Sequence, residues 1–216
     1  MRGNTDRGQA YTLEGFIGSM IVLLAVLFAL QAVVIAPTTG GLADRTVQAQ
    51  LQQESQDALT VANQDGNLSE MIRNWDADHE DGPNFYDATE PSSPNQEEQT
   101  YSPEAFANES RLGAILEDRY TEDGWSYNVE LIYETDDGFD STHLVYQGSP
   151  PSDAFTASHV VTLYEEDLLR HSEPNSSTKP TLAEAEDDEA IQYPIPSVES
   201  GDSGVYNLVE VRVVIW

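Results

Sequence analysis

Residues able to do chemistry gather in few places along this chain. Gly201-Asp202-Ser203-Gly204 sets a serine among small, turn-forming neighbours. A hydroxyl so placed becomes a nucleophile only when a histidine takes its proton and a buried aspartate orients that histidine. No histidine-bearing partner motif stands upstream in a suitable context, so the tetrapeptide reads as a turn before a last strand. Asp76-Ala77-Asp78-His79-Glu80-Asp81-Gly82 offers oxygen ligands at alternate positions, as a calcium loop does. Its sixth residue is Asp81 where a glycine is needed, and the register fails. His79, His143, His159 and His171 never fall at metal-ligand spacing, and no carboxylate pair stands apart as a general acid and base. With no glycine-rich phosphate loop either, no cofactor and no metal are expected. The chain reads as non-enzymatic.

Glu14 is a different kind of signal. It stands at the mouth of an apolar run, Phe16 to Ala36, which holds no charge and is interrupted only by Ser19 and Gln31. As a helix this run would extend about 31 Å, the thickness of a bilayer core, so a transmembrane helix over residues 16–36 is expected with the lipid bilayer as partner. A cleaved secretory signal has a shorter apolar core, roughly 7 to 15 residues, and a small-residue cleavage site that Ala36-Pro37 does not provide. Arg2 and Arg7 precede the run, whereas Arg45 behind it sits beside Asp44, so the topology expected is a cytoplasmic N-terminus, residues 1–15, and an extracellular remainder.

The chain has 216 residues, with 9 Lys and Arg against 39 Asp and Glu, a formal net charge of −30. Only Asp6 and Glu14 among the acids, and Arg2 and Arg7 among the bases, precede Pro37, so the part after it carries the whole imbalance. Nucleic acid is not an expected partner of such a surface. Carboxylates spread this evenly suit a protein working in molar salt, which screens their repulsion. The absence of cysteine excludes disulfides and thiolate zinc sites. Three Asn-x-Ser/Thr sequons, at Asn67, Asn108 and Asn175, are candidate glycosylation sites on the outward side.

Arg7-Gly8-Gln9, then Glu14, then the apolar run resemble the class III signal of archaeal type IV pilin-like proteins. The resemblance covers about the first 36 residues. It implies a prepilin peptidase cutting before the apolar helix, retention of that helix, and packing of many such helices into a filament core. In that family a glutamate early in the mature helix pairs with a neighbour's new N-terminal amine. Scission after Gly8 leaves Glu14 sixth in the mature chain, and scission after Gln9 leaves it fifth, the family's usual place. A carboxylate near hydrocarbon is costly without a partner, and a neighbour's ammonium would supply one. More broadly the chain resembles uncharacterised haloarchaeal membrane proteins with a pilin-like N-terminus.

The elements expected to carry these residues form an α+β fold: the transmembrane helix continuing into a stalk helix, then an antiparallel sheet of about four strands packed with helices. Residues 37–75 read as a hinge at Thr38-Thr39-Gly40-Gly41 and an extracellular stalk helix, with Leu68, Met71, Ile72 and Trp75 marking a second short helical patch. Residues 76–101 are an acidic linker without periodicity. A helix restarts at Ser102-Pro103-Glu104 and buries Phe106, Leu112, Ile115, Leu116 and Tyr120. From Trp125 the period becomes two, with a hairpin turning at Asp136-Asp137-Gly138, a third strand over Ala157 to Glu165, an acidic insertion at 173–203, and a last strand from Val205 to Trp216. These features together imply a single-span, surface-exposed subunit or accessory of a pilus-type assembly. The alternative is a bitopic, membrane-anchored extracellular binding domain outside any filament.

Overall fold

The structure, a computed structural model, describes residues 5–34, 38–77, 82–91, 99–171, 179–198 and 204–216. Side chains are described for 13–27 and from 49 onward, Asp65 and Pro91 excepted. Two compact units divide the chain, Met1–Ala49 and Gln50–Trp216.

The first unit contains α1, Thr5–Val34. Among the described residues no helix is long and apolar enough to cross a membrane. That finding overturns the transmembrane helix expected over 16–36, and with it the single-pass anchor. The expectation rests on the apolar run alone, whereas α1 spans Thr5–Val34 and takes Asp6, Arg7 and Glu14 into the same helix. The helix α2, Thr38–Asn63, follows. Gly40 and Gly41, expected as a hinge, lie inside its helical backbone.

The second unit, the acidic domain, is built on a four-stranded antiparallel sheet, as expected. Its strands are β5 (Tyr127–Thr135), β6 (Gly138–Val145), β7 (Phe155–Tyr164) and β8 (Val205–Ile215), in the order β6-β5-β8-β7. The hairpin between β5 and β6 turns at Asp136-Asp137, and Gly138 takes φ 135°, a conformation open to glycine and costly for any residue with a Cβ. Alternation then sorts the faces. Tyr127, Val129, Leu131 and Tyr133 of β5 and Val209, Val211, Val213 and Ile215 of β8 are buried, in register at Leu131 opposite Val211. On the other face Arg212 bridges Glu130 at 3.5 Å and Glu210 at 3.3 Å.

Helices cover the buried face. The C-terminal half of α2 sinks Ala58, Leu59 and Ala62 into the same core, so this stretch is a core helix of the domain, not a free stalk. Gln52 and Gln56 of α2 donate to the carbonyls of Thr156 and Ser158 at 3.4 and 3.0 Å, blunting the open edge of β7. The helix α3 is Asn67–Ile72, with Leu68, Met71 and Ile72 buried as its spacing predicts. The helices α4 (Pro103–Glu109) and α5 (Arg111–Leu116) are capped by Ser102 and Ser110, whose hydroxyls accept from Ala105 and Gly113 N–H. A π turn, Glu117–Thr121, continues α5, and Tyr120 within it exchanges a 2.8 Å hydrogen bond with Ser55 of α2. Phe106, Leu112, Leu116 and Tyr120 are buried, while Ile115 is only partly so.

Two segments are more ordered than their composition predicts. The acidic linker of 76–101 includes two short ladders, β1 (Trp75–Asp76) with β2 (Asn84–Phe85) and β3 (Glu90–Pro91) with β4 (Gln99–Thr100). They are pinned by Phe85, Ala88 and Tyr101, all buried. The acidic insertion of 173–203 includes α6, Leu182–Asp187, opened by a capping box between Thr181 and Glu184 and anchored by Leu182, Ala185, Ile191 and Ile195. In both, a few apolar residues too sparse to show a period find the core.

Candidate functional site

The feature of α1 that stands out is exposure without a direction. Its large apolar side chains from Leu13 to Leu27 are exposed at between 47 % (Leu24) and 68 % (Phe16). Successive residues turn by about 100°, so Met20, Ile21, Val22, Leu23 and Leu24 alone face all round the axis. A helix apolar on every side belongs in an interior, since burying each such side chain is worth about 1.5–3 kcal/mol. Glu14, also exposed, is the one ionisable side chain among 13–27.

The acidic domain has a partly apolar surface of its own. A groove of about 470 Å³ opens between α2 and α5, floored by Ala58, Val61, Ala114 and Ile115 and flanked by Arg111 and Arg119. Asp57 and Asp118 share its rim, so its charges balance, unlike the chain as a whole. Of the described arginines, Arg73, Arg170 and Arg212 are engaged in hydrogen bonds or ion pairs. Arg111 and Arg119 have no such partner among the described residues. No apolar period announces this groove, but two of only nine bases standing eight residues apart with Ala114 and Ile115 between them are a usable sign.

The same chain region closes a polar cluster that sequence spacing does not reveal. The Nδ2 of Asn74 donates to Glu109 Oε2 at 3.3 Å, which turns Asn74 Oδ1 toward His171 Nδ1. The proton therefore sits on Nδ1, and Nε2 is left as an acceptor. Burial, reinforced by Lys179 and Arg170, lowers the His171 pKa from its ordinary value. Its ring stacks on Tyr86 with centroids 3.8 Å apart, and Arg170 pairs with Glu70 beside it. Two hydroxyls stand by this group: Tyr101 O–H accepts from Asn74 Nδ2 at 3.5 Å and donates to Tyr86 O, and Ser110 donates to Phe106 O and caps α5, so both are occupied in holding the fold. The cluster ties α3, α4 and the chain after β7 together.

A cleft of about 550 Å³ lies at the other end of the sheet, where Tyr133, Tyr193 and Tyr206 meet Asp140 and Glu186. Tyr206 O–H contacts Glu186 Oε2 at 2.6 Å and Ile195 O at 2.8 Å, and Ser197 N–H donates to the same carboxylate oxygen. Burial first, then Glu186, raises the Tyr206 pKa well above the phenol range. Trp75 and Tyr193 fasten this loop further by donating to Ile191 O and Ile72 O. These polar groups are engaged in holding residues 186–197 to the core.

A protein-family profile described as a family of unknown function, DUF7288, matches residues 7–215. The chain belongs to that family. No curated protein and no solved structure matches it. The DUF7288 match begins within α1 and ends in β8, so it takes in the apolar helix and the acidic domain alike.

The residues singled out from sequence are scattered. Gly8 and Gln9 have helical backbone within α1, and their environment lies outside the described residues. Ser203 and Asn175 also lie outside them, as do residues 78–81 of the acidic loop with His79. Asn108 is exposed on α4, whereas Asn67 is half-buried and spends its amide on Gln64 O at 2.8 Å. His143 packs edge-on against Tyr146 in the β6 region and His159 sits in β7 opposite Val211, each on a different element from His171. Among the described residues no group of three His, Cys, Asp or Glu could hold a metal ion.

Proposed function

We propose that the protein is a non-catalytic structural subunit or accessory of a pilus-type assembly, in which α1 is buried by neighbouring copies of the same chain. The carrying observation is the all-round exposure of apolar side chains from Leu13 to Leu27. The acidic domain buries most of its large apolar residues and exposes the others, such as Phe139, Val160 and Leu208, without such a continuous run. A free protein holding that much apolar surface in water is not stable against association, and patches far smaller mark interaction sites. The resemblance of Arg7-Gly8-Gln9 and Glu14 to a pilin-type processing signal supports the same reading. So does the −30 net charge, which suits a surface facing molar salt, where the screening length falls to about 3 Å and crowded acidic domains no longer repel strongly.

The test uses the full chain in molar potassium chloride. Sedimentation should show species far larger than a monomer, and Ile21→Asp with Leu24→Asp should return it to monomer while the near-ultraviolet spectrum of the acidic domain stays unchanged. A wild-type chain that stays monomeric overturns the reading. So does one that floats with phosphatidylglycerol vesicles as isolated monomers, since a bilayer would then be what covers α1.

A further inference from the structure

We infer that the groove between α2 and α5 receives α1 of a second copy, with Glu14 paired to Arg111 and Arg119. This rests on the assembly reading and names the surface that α1 meets.

Shape is the first argument. The floor of the groove is made by two helices carrying small or short residues, Ala58 on α2 and Ala114 on α5, with Val61 and Ile115 beside them. Two packed helices with small residues between them leave a trough that a third helix can enter at close range. On α1, Glu14, Ile17, Gly18 and Ile21 fall at intervals of three and four and so share one face. A Cβ added at Gly18 would meet nothing within 4 Å, so the glycine satisfies no contact within the described chain and is free to let another backbone approach. From Arg111 to Arg119 is about 12 Å of helix, matched by the two turns from Glu14 to Ile21.

Charge is the second. Residues 13–27 of α1 offer one carboxylate on an apolar rod, and the groove offers an apolar floor with two guanidiniums that make no hydrogen bond or ion pair among the described residues. Asp57, on the same rim, already accepts from Gln53 at 3.0 Å. A carboxylate brought into such a groove gains a planar, multi-donor partner, and the arginine loses its exposure to water at the same moment. Elsewhere the domain is acidic and would repel Glu14. A neighbour's N-terminal amine is the competing partner that the pilin resemblance implies, and the two are separable by experiment.

The chain has no cysteine, so single introduced thiols report contacts without background. A full-length copy carrying Glu14→Cys is mixed with a differently tagged copy carrying Arg111→Cys or Arg119→Cys, and oxidised in molar salt. Disulfide-linked heterodimers between the Glu14→Cys copy and at least one of the two groove variants are expected. An assembling chain in which the Glu14→Cys copy links only to itself, or to nothing, overturns the groove and leaves the assembly reading standing; a chain that does not assemble sinks that reading itself. A charge swap guards against loss of assembly in the cysteine variants. Glu14→Arg alone, and Arg111→Glu with Arg119→Glu, should each weaken association about tenfold, and mixing the two proteins should recover most of it. Variants that associate as wild type, or a mixture that gives no recovery, overturn the proposal.

Discussion

The α1 helix and the β5–β8 core use the same alphabet of Leu, Ile, Val and Phe to opposite ends. In the sheet polar residues alternate with apolar ones, so one face satisfies the core and the other meets water, and Leu131, Val211 and Leu163 end fully buried. In α1 the large apolar residues crowd every side of the helix, and none is reserved for solvent. The difference teaches that apolar content by itself says only that burial is required. Its period says whether the chain can supply that burial within its own fold.

Mutations that delete methyl groups should separate the two regions most sharply. Leu131→Ala, at the centre of the sheet, should cost about 2–5 kcal/mol in urea unfolding of the acidic domain. Leu24→Ala should change that same transition by less than about 0.5 kcal/mol. Equal costs would break the comparison. Next in size is Gly113→Ala, where the new Cβ would stand 2.1 Å from Phe106 O and 2.3 Å from Phe106 C. Both are backbone atoms of the neighbouring helix, so α4 and α5 must part, and a loss of about 1–3 kcal/mol is expected. Gly18→Ala in α1 has no such neighbour, and its thermal unfolding should match wild type.

Asn207 sits fully buried in β8 and donates to Glu134 O at 2.9 Å and Pro196 O at 2.8 Å. Asn207→Ala leaves those carbonyls without this donor and should cost about 1–3 kcal/mol, read again by urea. A smaller effect is expected at Thr181→Ala, which removes the capping box of α6 and should cost about 1 kcal/mol. The smallest belongs to His171. Its pKa is lower folded than unfolded, so the unfolded chain binds the proton more readily and stability rises with pH. Its share is present above about 6.5 and is lost as pH falls through the lower folded value. In His171→Gln that part of the pH dependence of the melting temperature should vanish. An unchanged profile would show that His171 does not govern the titration.

Local chemistry was readable from the order of residues. The alternation from Trp125, the Asp136-Asp137-Gly138 turn, the Ser102-Pro103 helix start and the last strand all appear within a few residues of where the pattern puts them, because each depends on neighbours in the chain. The acidic stretches around Phe85 and Leu182 were not readable, since one or two apolar residues among many acids carry no period. Neither was the Asn74, Glu109 and His171 cluster, whose members come together only because α3, α4 and the chain after β7 converge. A span across a bilayer is what the uninterrupted run of 16–36 predicts, whereas among the described residues no helix is long and apolar enough for one.

Sequence alone determined the two kinds of segment, the strong charge imbalance, the strand period and the helix caps, because each is a property of composition or of residues a few positions apart. Tertiary structure alone decided that the C-terminal half of α2 joins the core, that β7 is the guarded edge, and that Arg111 and Arg119 flank an apolar groove. Those outcomes depend on distances between residues far apart in the chain, and such distances exist only once helices and sheet have competed for the same buried volume.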